Sequence, residues 1–320
     1  MAKYRLDLPQ LSENLFLTDG GLETTLIFQD GVDLPYFAAI DALGHEVGKE
    51  ALHRYFATYA QIATEMGVGL VLESPTWRAS SDWGAKMSYS SEALADASRA
   101  GVELLERIRS EHETAESPIV ISGCVGPRGD GYDPTHLMTQ EEAERYHATQ
   151  IGVLAETAAD LISAITIPYV DEAIGIARAA SASGMPVVIS FTVETDGRLP
   201  TGETLQSSIE QVDLATENGP VYYMINCAHP THFDEVLEPG SGWAKRIRGI
   251  RANASSMSHA ELDEAEELDD GDPEELGVQF RDLRDRLPHI TVLGGCCGTD
   301  HRHIEAIARA CLGSLAKPAE

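Results

Sequence analysis

Three of the five cysteines occupy positions from which they could bind a single metal ion. Cys227 follows one apolar run of the chain, and the adjacent pair Cys296 and Cys297 follows another near the end. Adjacent residues of a strand point in opposite directions, but the glycines on both sides of the pair give the backbone freedom to turn both sulfurs toward one point. Three thiolates bind Zn²⁺ with sulfur distances of about 2.3 Å and leave a fourth position open, as catalytic zinc sites do.

This ligand type indicates a class of chemistry. A free thiol has a pKa of about 8.5 and is mostly protonated at neutral pH, whereas a thiol bound to zinc is deprotonated outright. Because three thiolates leave the zinc with excess negative charge, a substrate sulfur bound there stays nucleophilic, which favours sulfur alkylation over water activation. Some zinc hydrolases also use cysteine ligands, so hydrolysis stays open, with Glu23, Glu73 or His229 as a general base.

The remaining residues of chemical interest have ordinary structural interpretations. Cysteine is most often a small buried hydrophobic residue, so Cys124 and Cys311 are expected in the core. His301 and His303 begin a predicted helix, where residues two apart share no face, so both are expected at the surface. Trp77 could stack on a cationic methyl donor or simply pack as an aromatic residue.

Eight short apolar runs are predicted to be β-strands. Most are apolar at nearly every position, which is typical of parallel strands covered on both faces. The predicted strands are Leu15–Thr18, Gly69–Leu72, Ile119–Ser122, Leu161–Ile165, Val187–Phe191, Val221–Ile225, Arg248–Arg251 and Ile290–Leu293. The predicted helices between them are Lys49–Met66, Ser91–Glu111, Gln140–Ala158, Val170–Ser183, Leu205–Glu217 and His301–Leu312.

The alternation of strands and helices predicts a (β/α)₈ barrel formed by a single domain, residues 1–320. An open doubly wound sheet competes with it, but Asp19-Gly20-Gly21 is too poor in glycine for the phosphate-binding loop typical of that fold. Residues 258–277 are dense in carboxylates and poor in apolar residues. We expect them to form an exposed acidic insertion between strands seven and eight.

In such a barrel, the residues directly after each strand line one mouth and form the active site. The residues of chemical interest fall there, and the barrel would bring together cysteines that lie far apart in sequence. The segments concerned are Asp19-Gly20-Gly21-Leu22-Glu23-Thr24, Glu73-Ser74-Pro75-Thr76-Trp77, Asn226-Cys227-Ala228-His229 and Gly294-Gly295-Cys296-Cys297-Gly298-Thr299.

Composition narrows the range of partners. Asp and Glu outnumber Lys and Arg by 52 to 23, which gives a formal charge of −29. Such a surface repels nucleic-acid phosphates and anionic membranes, so neither is an expected partner. No apolar run reaches the length of a membrane span, and the start lacks the features of a secretory signal, so we expect a cytoplasmic protein with reduced thiols. The sequence carries no signal of oligomeric state.

Six short segments carry a resemblance to a known family. They are Asp19-Gly20-Gly21-Leu22-Glu23-Thr24, Gly126-Pro127, Thr166-Ile167-Pro168, Ser190-Phe191-Thr192, Asn226-Cys227 and Gly294-Gly295-Cys296-Cys297-Gly298-Thr299. In these segments the chain resembles the homocysteine S-methyltransferases, which include the betaine and S-methylmethionine enzymes and the homocysteine domain of cobalamin-dependent methionine synthase. The combination of Asn-Cys with Gly-Gly-Cys-Cys-Gly-Thr is highly specific.

The resemblance implies a (β/α)₈ fold with a catalytic zinc ion bound by Cys227, Cys296 and Cys297. It implies that a small thiol, with homocysteine as the leading candidate, attacks the methyl group of an onium donor while the protein aligns and desolvates the two reactants. Asp19 and the backbone of the following glycines are implied to bind the amino-acid part of the thiol. The expected substrate contacts are Asp19, Gly20, Gly21, Glu23, Thr76 and Asn226.

Two positions depart from the family pattern. Where the family usually carries a glutamate that contacts the ammonium of homocysteine, this chain has Ile165. The missing carboxylate could come from Asp19, Glu194 or Glu73, or the acceptor could be another small thiol. Where the betaine enzymes carry a tyrosine, this chain has Arg78, whose charge opposes a quaternary ammonium donor. S-Methylmethionine or S-adenosylmethionine is therefore the favoured donor.

Two further classes of protein stay open on the sequence. One is a zinc hydrolase or lyase on the same barrel, and the other is a non-catalytic protein that binds a sulfur ligand. Metal content separates the last class from the others, and a methyl-transfer assay separates the remaining ones.

Overall fold

Eight parallel strands close into a barrel in the order of the sequence, with β1 paired to both β2 and β8. They are seen in a computed structural model, which describes residues 2–265 and 267–315. The strands are β1 Phe16–Thr18, β2 Gly69–Glu73, β3 Ile119–Val125, β4 Leu161–Ile167, β5 Val187–Phe191, β6 Tyr222–Asn226, β7 Ile247–Ala252 and β8 Val292–Gly295. The predicted (β/α)₈ fold is confirmed.

The predicted strands differ from the observed ones mainly at their ends. β5 has the predicted bounds, whereas β8 is displaced toward the carboxyl end, so that Gly294 and Gly295 lie in the strand. β4 continues to Ile167 through an irregular pairing with β5 after Ala164. Thr166 within this irregularity has a φ of 63°, which is unusual for a β-branched residue.

Helices alternate with the strands, and the long ones cover the outside of the barrel. They are α1 Leu22–Thr24, α2 Glu46–Met66, α3 Ser81–Lys86, α4 Ser91–His112, α5 Gln140–Ala155, α6 Val170–Ala182, α7 Leu205–Thr216, α8 Pro230–Phe233, α9 His259–Asp263, α10 Pro273–Arg286 and α11 His301–Leu315. The six predicted helices correspond to α2, α4, α5, α6, α7 and α11. Over residues 2–265 and 267–315, no helix has both the length and the apolar character needed to cross a membrane.

Local start signals explain where several helices begin. Thr139 and Glu142 form the reciprocal capping box at the start of α5, because each side chain accepts from the backbone N–H of the other. Asp300 caps α11, since the N–H of Arg302 donates to its carboxylate at 2.9 Å. Asp272 caps α10 in the same way.

The barrel interior is packed with side chains at its amino end and open at its carboxyl end. An inner cluster of buried side chains fills the lower part: Phe16, Val71, Val120, Leu161, Val188, Tyr222, Met224 and Val292. Cys124 and Ile165 belong to the same cluster and also line the cavity at the mouth. The core therefore ends where the candidate site begins, as expected for this fold.

The acidic segment 258–277 lies between β7 and β8, and much of it is helical. Its first part contains α9, which begins with a capping box between Ser258 and Glu261, and its last part is the start of α10. Leu276 and Phe280 of α10 are buried, and α10 packs on α11. Glu266, within the segment, lies outside the described residues.

Candidate metal centre and active site

Three sulfur atoms lie together at the carboxyl mouth of the barrel. The Sγ of Cys227 is 3.1 Å from that of Cys296 and 3.5 Å from that of Cys297, and the three sulfurs lie within 4.8 Å of one another. Three thiolates placed about 2.3 Å from one tetrahedral zinc would lie about 3.8 Å apart. The three side chains therefore fit one metal ion with little movement.

Cys227 takes its orientation from an unusual backbone conformation directly after β6. Its φ is 57°, and its N–H donates to the carbonyl of Arg251 on β7 at 3.1 Å. The side chain of Asn226 accepts from the N–H of Thr166 at 2.9 Å and from the hydroxyl of Ser190 at 2.6 Å. Its amide also donates to the Thr166 hydroxyl at 2.8 Å. Asn226 thus joins β4, β5 and β6 beside the thiols.

The glycines around the Cys296–Cys297 pair have two separate roles. Gly298 has a φ of 79°, so it supplies the left-handed conformation in the turn after β8. Gly294 and Gly295 lie within β8, where an added Cβ would be 1.8 and 1.9 Å from threonine hydroxyls. The predicted backbone freedom is therefore needed at Gly298, whereas the other two glycines allow close packing.

The three thiols bond to one another and differ in acidity. Hydrogen bonds from Cys227 and Cys297, aided by the charge of Arg251, hold the pKa of Cys296 well below its usual range. The hydrogen bond with Cys296, together with burial, raises the pKa of Cys227, and hydrogen bonds with Cys227 and Cys296, together with burial, raise that of Cys297. Cys296 is therefore the most acidic thiol of the three, and Arg251 stabilises its negative charge.

Tyr132, in the loop after β3, connects the thiols to the acidic insertion. Its hydroxyl lies 2.8 Å from the Sγ of Cys227, and its ring packs on that of His259 with the centroids 4.3 Å apart. His259 belongs to α9, and its Nε2 lies 3.1 Å from the carbonyl of Val193. Burial raises the pKa of Tyr132 well above its usual value, so its hydroxyl keeps the proton and can donate to a thiolate.

Arg251, on β7, forms a buried ion-pair network next to the thiols. Its Nη2 is 2.6 Å from Oδ1 of Asp19, and its Nε donates to the carbonyl of Gly295 at 3.1 Å. Tyr55 donates to Oδ2 of Asp19 at 3.3 Å. The Nη1 of Arg251 lies 3.8 Å from Oε1 of Glu73, which is beyond hydrogen-bonding distance. Asp19 is thus held from two sides, and Glu73 is not.

Arg78 covers the tryptophan side chains at the rim of the mouth. Its guanidinium carbon lies 4.8 Å from the ring centre of Trp77 and 4.1 Å from that of Trp83. Trp77 is fixed by a hydrogen bond from its Nε1 to the carbonyl of Ile165 at 3.0 Å. Burial raises the pKa of Glu23, which also faces this region, to about 7. An indole face of each tryptophan is therefore already occupied by a cation.

One cavity of about 770 Å³ collects these groups at the mouth. Among the expected substrate contacts, Asp19, Gly20, Gly21 and Glu23 line this cavity together with the three thiols. Residues of the acidic insertion form a further wall: Ala260, Leu262, Asp263, Ala265, Glu267, Leu268 and Asp269. The insertion is therefore not only a solvated surface segment, because it encloses one side of the site.

Three other predicted residues do not line the cavity: Thr76, Asn226 and His229. Thr76 is fully buried, and its hydroxyl donates to the carbonyl of Cys124 at 2.6 Å. Asn226 is equally buried and bonds to the neighbouring strands. His229 caps α8 through its side chain, and burial lowers its pKa to about 4. Their hydrogen bonds are internal, so these side chains position the loops rather than face a substrate.

Two of the structural interpretations also change. The prediction that His303 is exposed is wrong, because its Nδ1 lies 3.1 Å from Asp300 and its Nε2 lies 2.8 Å from the carbonyl of Asp270. His301 is exposed as predicted. Cys124 is buried as predicted, and it lines the cavity as well.

Sequence reasoning missed Arg251 and Tyr132 as members of the site. A charged residue inside an apolar run that is predicted to be covered on both faces is itself a signal of a buried ion pair, and Arg251 carried that signal. Tyr132 lies in a loop rich in glycine, aspartate and proline, and nothing in that composition indicates where the loop crosses the mouth.

Fold and site together define a class of protein: a (β/α)₈ barrel whose carboxyl mouth holds a group of thiols suited to one metal ion. The family model described as homocysteine S-methyltransferase matches residues 16–311. The chain belongs to the homocysteine S-methyltransferase family, a family of S-methyltransferase enzymes. The resemblance found in the six segments is confirmed.

Curated relatives share modest identity with the chain. Homocysteine S-methyltransferase 1 of Brassica oleracea var. italica is 26% identical over 174 residues, 53% of this chain and 51% of that protein. The chain thus spans about half the length of this relative. Selenocysteine Se-methyltransferase of the same plant is 25% identical over 320 residues, 91% of this chain and 87% of that protein.

Solved structures support the fold. The oxidized form of the homocysteine methyltransferase MmuM from Escherichia coli matches with a TM-score of 0.76 and 17% identity, over 94% of this chain and 97% of that chain. The metallated form of the same enzyme matches with a TM-score of 0.71 and 18% identity, over 96% of this chain and 99% of that chain. At these identities the likeness concerns the barrel itself.

Proposed function

We propose that this protein transfers a methyl group from a small sulfonium donor to the sulfur of a thiol bound at a zinc ion, with homocysteine as the acceptor and methionine as the product. The observation that carries the proposal is the convergence of the three cysteine sulfurs in the cavity. Membership of the homocysteine S-methyltransferase family supports the reaction class. Zinc is the proposed metal because three thiolates and one open position are a zinc donor set.

The residues around the thiols have separate tasks in this reaction. Zinc held by the three cysteines would keep a substrate thiol deprotonated and nucleophilic at neutral pH. Arg251 offsets the negative charge of the thiolate group, and Tyr132 donates a hydrogen bond to Cys227. The cavity would hold the attacking sulfur, the methyl carbon and the leaving group in one line, which is where most of the rate enhancement would arise.

The proposed donor is S-methylmethionine or S-adenosylmethionine rather than betaine. A quaternary ammonium group binds best against aromatic faces, and Arg78 already covers Trp77 and Trp83 at the rim. The positive charge of Arg78 would also repel a trimethylammonium group placed beside it. A donor that carries an α-carboxylate on a longer chain could instead pair that carboxylate with Arg78.

A different small thiol or selenol is the second candidate acceptor. Ile165 lines the cavity at the position where the family usually carries its ammonium-binding glutamate. A relative that matches 91% of this chain is named for selenocysteine methylation. The acceptor panel should therefore contain selenocysteine and cysteine beside homocysteine.

The deciding experiment measures metal content and methyl transfer on the same preparation. We expect about one zinc per chain and methionine formed from homocysteine with a sulfonium donor, and no product with betaine. Transfer to another thiol or selenol but never to homocysteine would support the second acceptor. Bound zinc with no methyl transfer to any acceptor would contradict the proposal and favour a hydrolase or a lyase, whereas protein without zinc or transfer would favour a sulfur-ligand binder.

A further inference from the structure

Glu73 is a buried carboxylate that lacks a hydrogen bond of normal geometry. It ends β2 and lines the cavity, and the residue is 5% exposed. Neither oxygen makes a hydrogen bond of normal geometry with residues 2–265 or 267–315, although the nearby hydroxyls of Ser122 and Ser163 partly stabilise its charge. A buried polar group that lacks a partner costs about 1–3 kcal/mol, and more when it is charged. The protein therefore holds an unused acceptor directed at the space where a substrate would bind.

The neighbouring charges leave room for one more cation. Asp19 and Glu73 are the buried carboxylates among the described residues that line the cavity, and Arg251 is the buried cation beside them. Asp19 is engaged by Arg251 at 2.6 Å and by Tyr55 at 3.3 Å. The Nη1 of Arg251 has no hydrogen-bond partner, and its 3.8 Å separation from Glu73 is too long for a charge-assisted hydrogen bond. Two carboxylates thus face one guanidinium.

We propose that Glu73 binds the α-ammonium group of the thiol substrate, while the free Nη1 of Arg251 binds its α-carboxylate. The inference rests on the proposed function, because it takes the acceptor to be an amino acid with a thiol side chain. Glu73 and Nη1 of Arg251 are adjacent groups of opposite charge, which matches two opposite charges carried on one carbon atom. A bound amino acid would give both orphaned groups a partner.

The identity of Ile165 explains why the ammonium group would be bound by Glu73 of β2 and not by a residue of β4. It faces the same cavity from β4 and offers only an aliphatic side chain. Among the other carboxylates of the described cavity wall, Glu23 lies at the rim within the field of Arg78, and the rest, such as Glu194, are half-buried or exposed and are screened by solvent. Glu73 is the buried carboxylate left free for an ammonium group.

The test compares thiols that differ by one charged group, with equilibrium binding to the zinc-loaded protein as the readout. We expect the wild type to bind homocysteine and 3-mercaptopropylamine, and to bind 4-mercaptobutanoic acid, which lacks the amino group, much more weakly. In Glu73→Gln the affinity for the two amines should fall roughly 10- to 100-fold, whereas that for 4-mercaptobutanoic acid should change less than about threefold. An equal loss for all three thiols, or a wild type indifferent to the amino group, would overturn the proposal.

Two further variants distinguish the loss of an ammonium-binding carboxylate from a general loss of folding. Glu73→Gln combined with Ile165→Glu places a carboxylate on β4 and should recover most of the affinity for homocysteine. Glu194→Gln removes a half-buried carboxylate of the same cavity and should leave all three affinities unchanged. If Glu194→Gln weakens amine binding and Glu73→Gln does not, Glu194 is the ammonium site and the proposal fails.

Binding is measured without a methyl donor, so the two proposals can fail separately. A protein that discriminates amino thiols through Glu73 but transfers no methyl group retains this inference and loses the proposed function. A protein that methylates homocysteine equally well with and without the Glu73 charge retains the function and loses this inference.

Discussion

At the scale of single residues, the site is a group of three thiols flanked by a buried arginine. The thiols could be predicted because residue type and position after a strand are both written in the sequence, and adjacent cysteines among glycines are rare enough to be informative. The ion pair between Arg251 and Asp19 could not be predicted, because it joins β7 to the loop after β1 and forms only when the barrel closes. Thr76 had the right position in sequence, but its side chain turns into the protein.

Removal of one thiol tests the metal centre. Cys297→Ala leaves two sulfurs and should reduce bound zinc to a small fraction of the wild-type content, because structural and catalytic zinc sites need at least three protein ligands. Elemental analysis of the purified protein measures the zinc content per chain. Cys124→Ala is the matched control, since Cys124 is a buried thiol of the same cavity outside the group. Equal zinc in all three proteins would refute a zinc site at these cysteines.

Removal of the rim cation tests the choice of donor. Arg78→Ala uncovers the indole face of Trp77, which lines the cavity, so tetramethylammonium should bind about 3- to 30-fold more tightly than to the wild type. Trp83, in contrast, stays covered by Lys86. Quenching of tryptophan fluorescence reports this binding. Arg128→Ala is the control, because Arg128 lies 4.8 Å over Tyr146 and does not line the cavity. An unchanged affinity in Arg78→Ala would mean that Arg78 does not exclude quaternary ammonium groups.

At the scale of elements, apolar runs predicted every strand of the barrel, and amphipathic periodicity predicted all the long helices of the described residues except α10. β4 was cut short because Thr166 breaks the regular pairing, and a single left-handed residue held by Asn226 leaves no mark in composition. α10 was missed because its charged residues dilute an apolar stripe of Leu276, Phe280 and Leu283 that packs against α11. Such errors arise where tertiary contacts decide the conformation.

Asn226 should be essential for the stability of this part of the barrel. Asn226→Ala leaves the buried N–H and hydroxyl of Thr166 and the hydroxyl of Ser190 without their partner, at a cost of about 2–4 kcal/mol in the free energy of unfolding. Urea denaturation measures it. Asn14→Ala, at an exposed position, should change the same quantity by less than about 0.5 kcal/mol. An equally small loss of unfolding free energy in Asn226→Ala would show that its hydrogen bonds to β4 and β5 do not stabilise the barrel.

Asp300 should make the start of α11 dependent on pH. Burial opposes its charge, but hydrogen bonds from His303, Arg302 and Gln29 overcome this and lower its pKa below the usual value. A carboxyl group with a lowered pKa contributes stability that is present above its unfolded pKa of about 3.9 and is lost as the pH falls. Asp300→Asn should therefore lose roughly 1–3 kcal/mol at pH 7 and progressively less toward pH 3.

The comparison for Asp300 is an exposed ion pair. Asp96 pairs with Arg99 at 3.0 Å on the surface of α4, so Asp96→Asn should change unfolding by less than about 1 kcal/mol at every pH. Unfolding curves for both variants and the wild type at pH 7, 5 and 3 give the comparison. A difference for Asp300→Asn that does not vary with pH would mean that its charge contributes nothing.

At the scale of the whole molecule, the barrel places one buried ion-pair network at its carboxyl mouth and another, Arg109 with Asp160, before β4, and it carries an excess of negative charge. The formal charge of −29 is unfavourable for a compact state, because like charges repel one another. The acidic insertion places part of this charge over the cavity through residues such as Asp263 and Asp269. That the insertion covers the site could not be predicted, since its composition is typical of a solvated loop.

Salt should therefore stabilise this protein. Raising KCl from about 0.05 M to 1 M should raise the urea midpoint of unfolding, because the screening length falls from above 10 Å to about 3 Å. The increase should level off near 1 M, whereas stabilisation by solute exclusion would continue to grow with concentration. A midpoint independent of salt below 1 M would show that surface repulsion does not limit stability.

The ordered closure of the barrel has a consequence for how the protein is made. Cys227 leaves the ribosome long before Cys296 and Cys297, and the wall beside them forms only when β8 pairs with β1, where the N–H of Gly295 donates to the carbonyl of Asp19. If the three thiols bind zinc as proposed, high-affinity uptake has to wait until the last strand is in place. During refolding, zinc binding would therefore report the final step of assembly, and it should occur after the helices have formed.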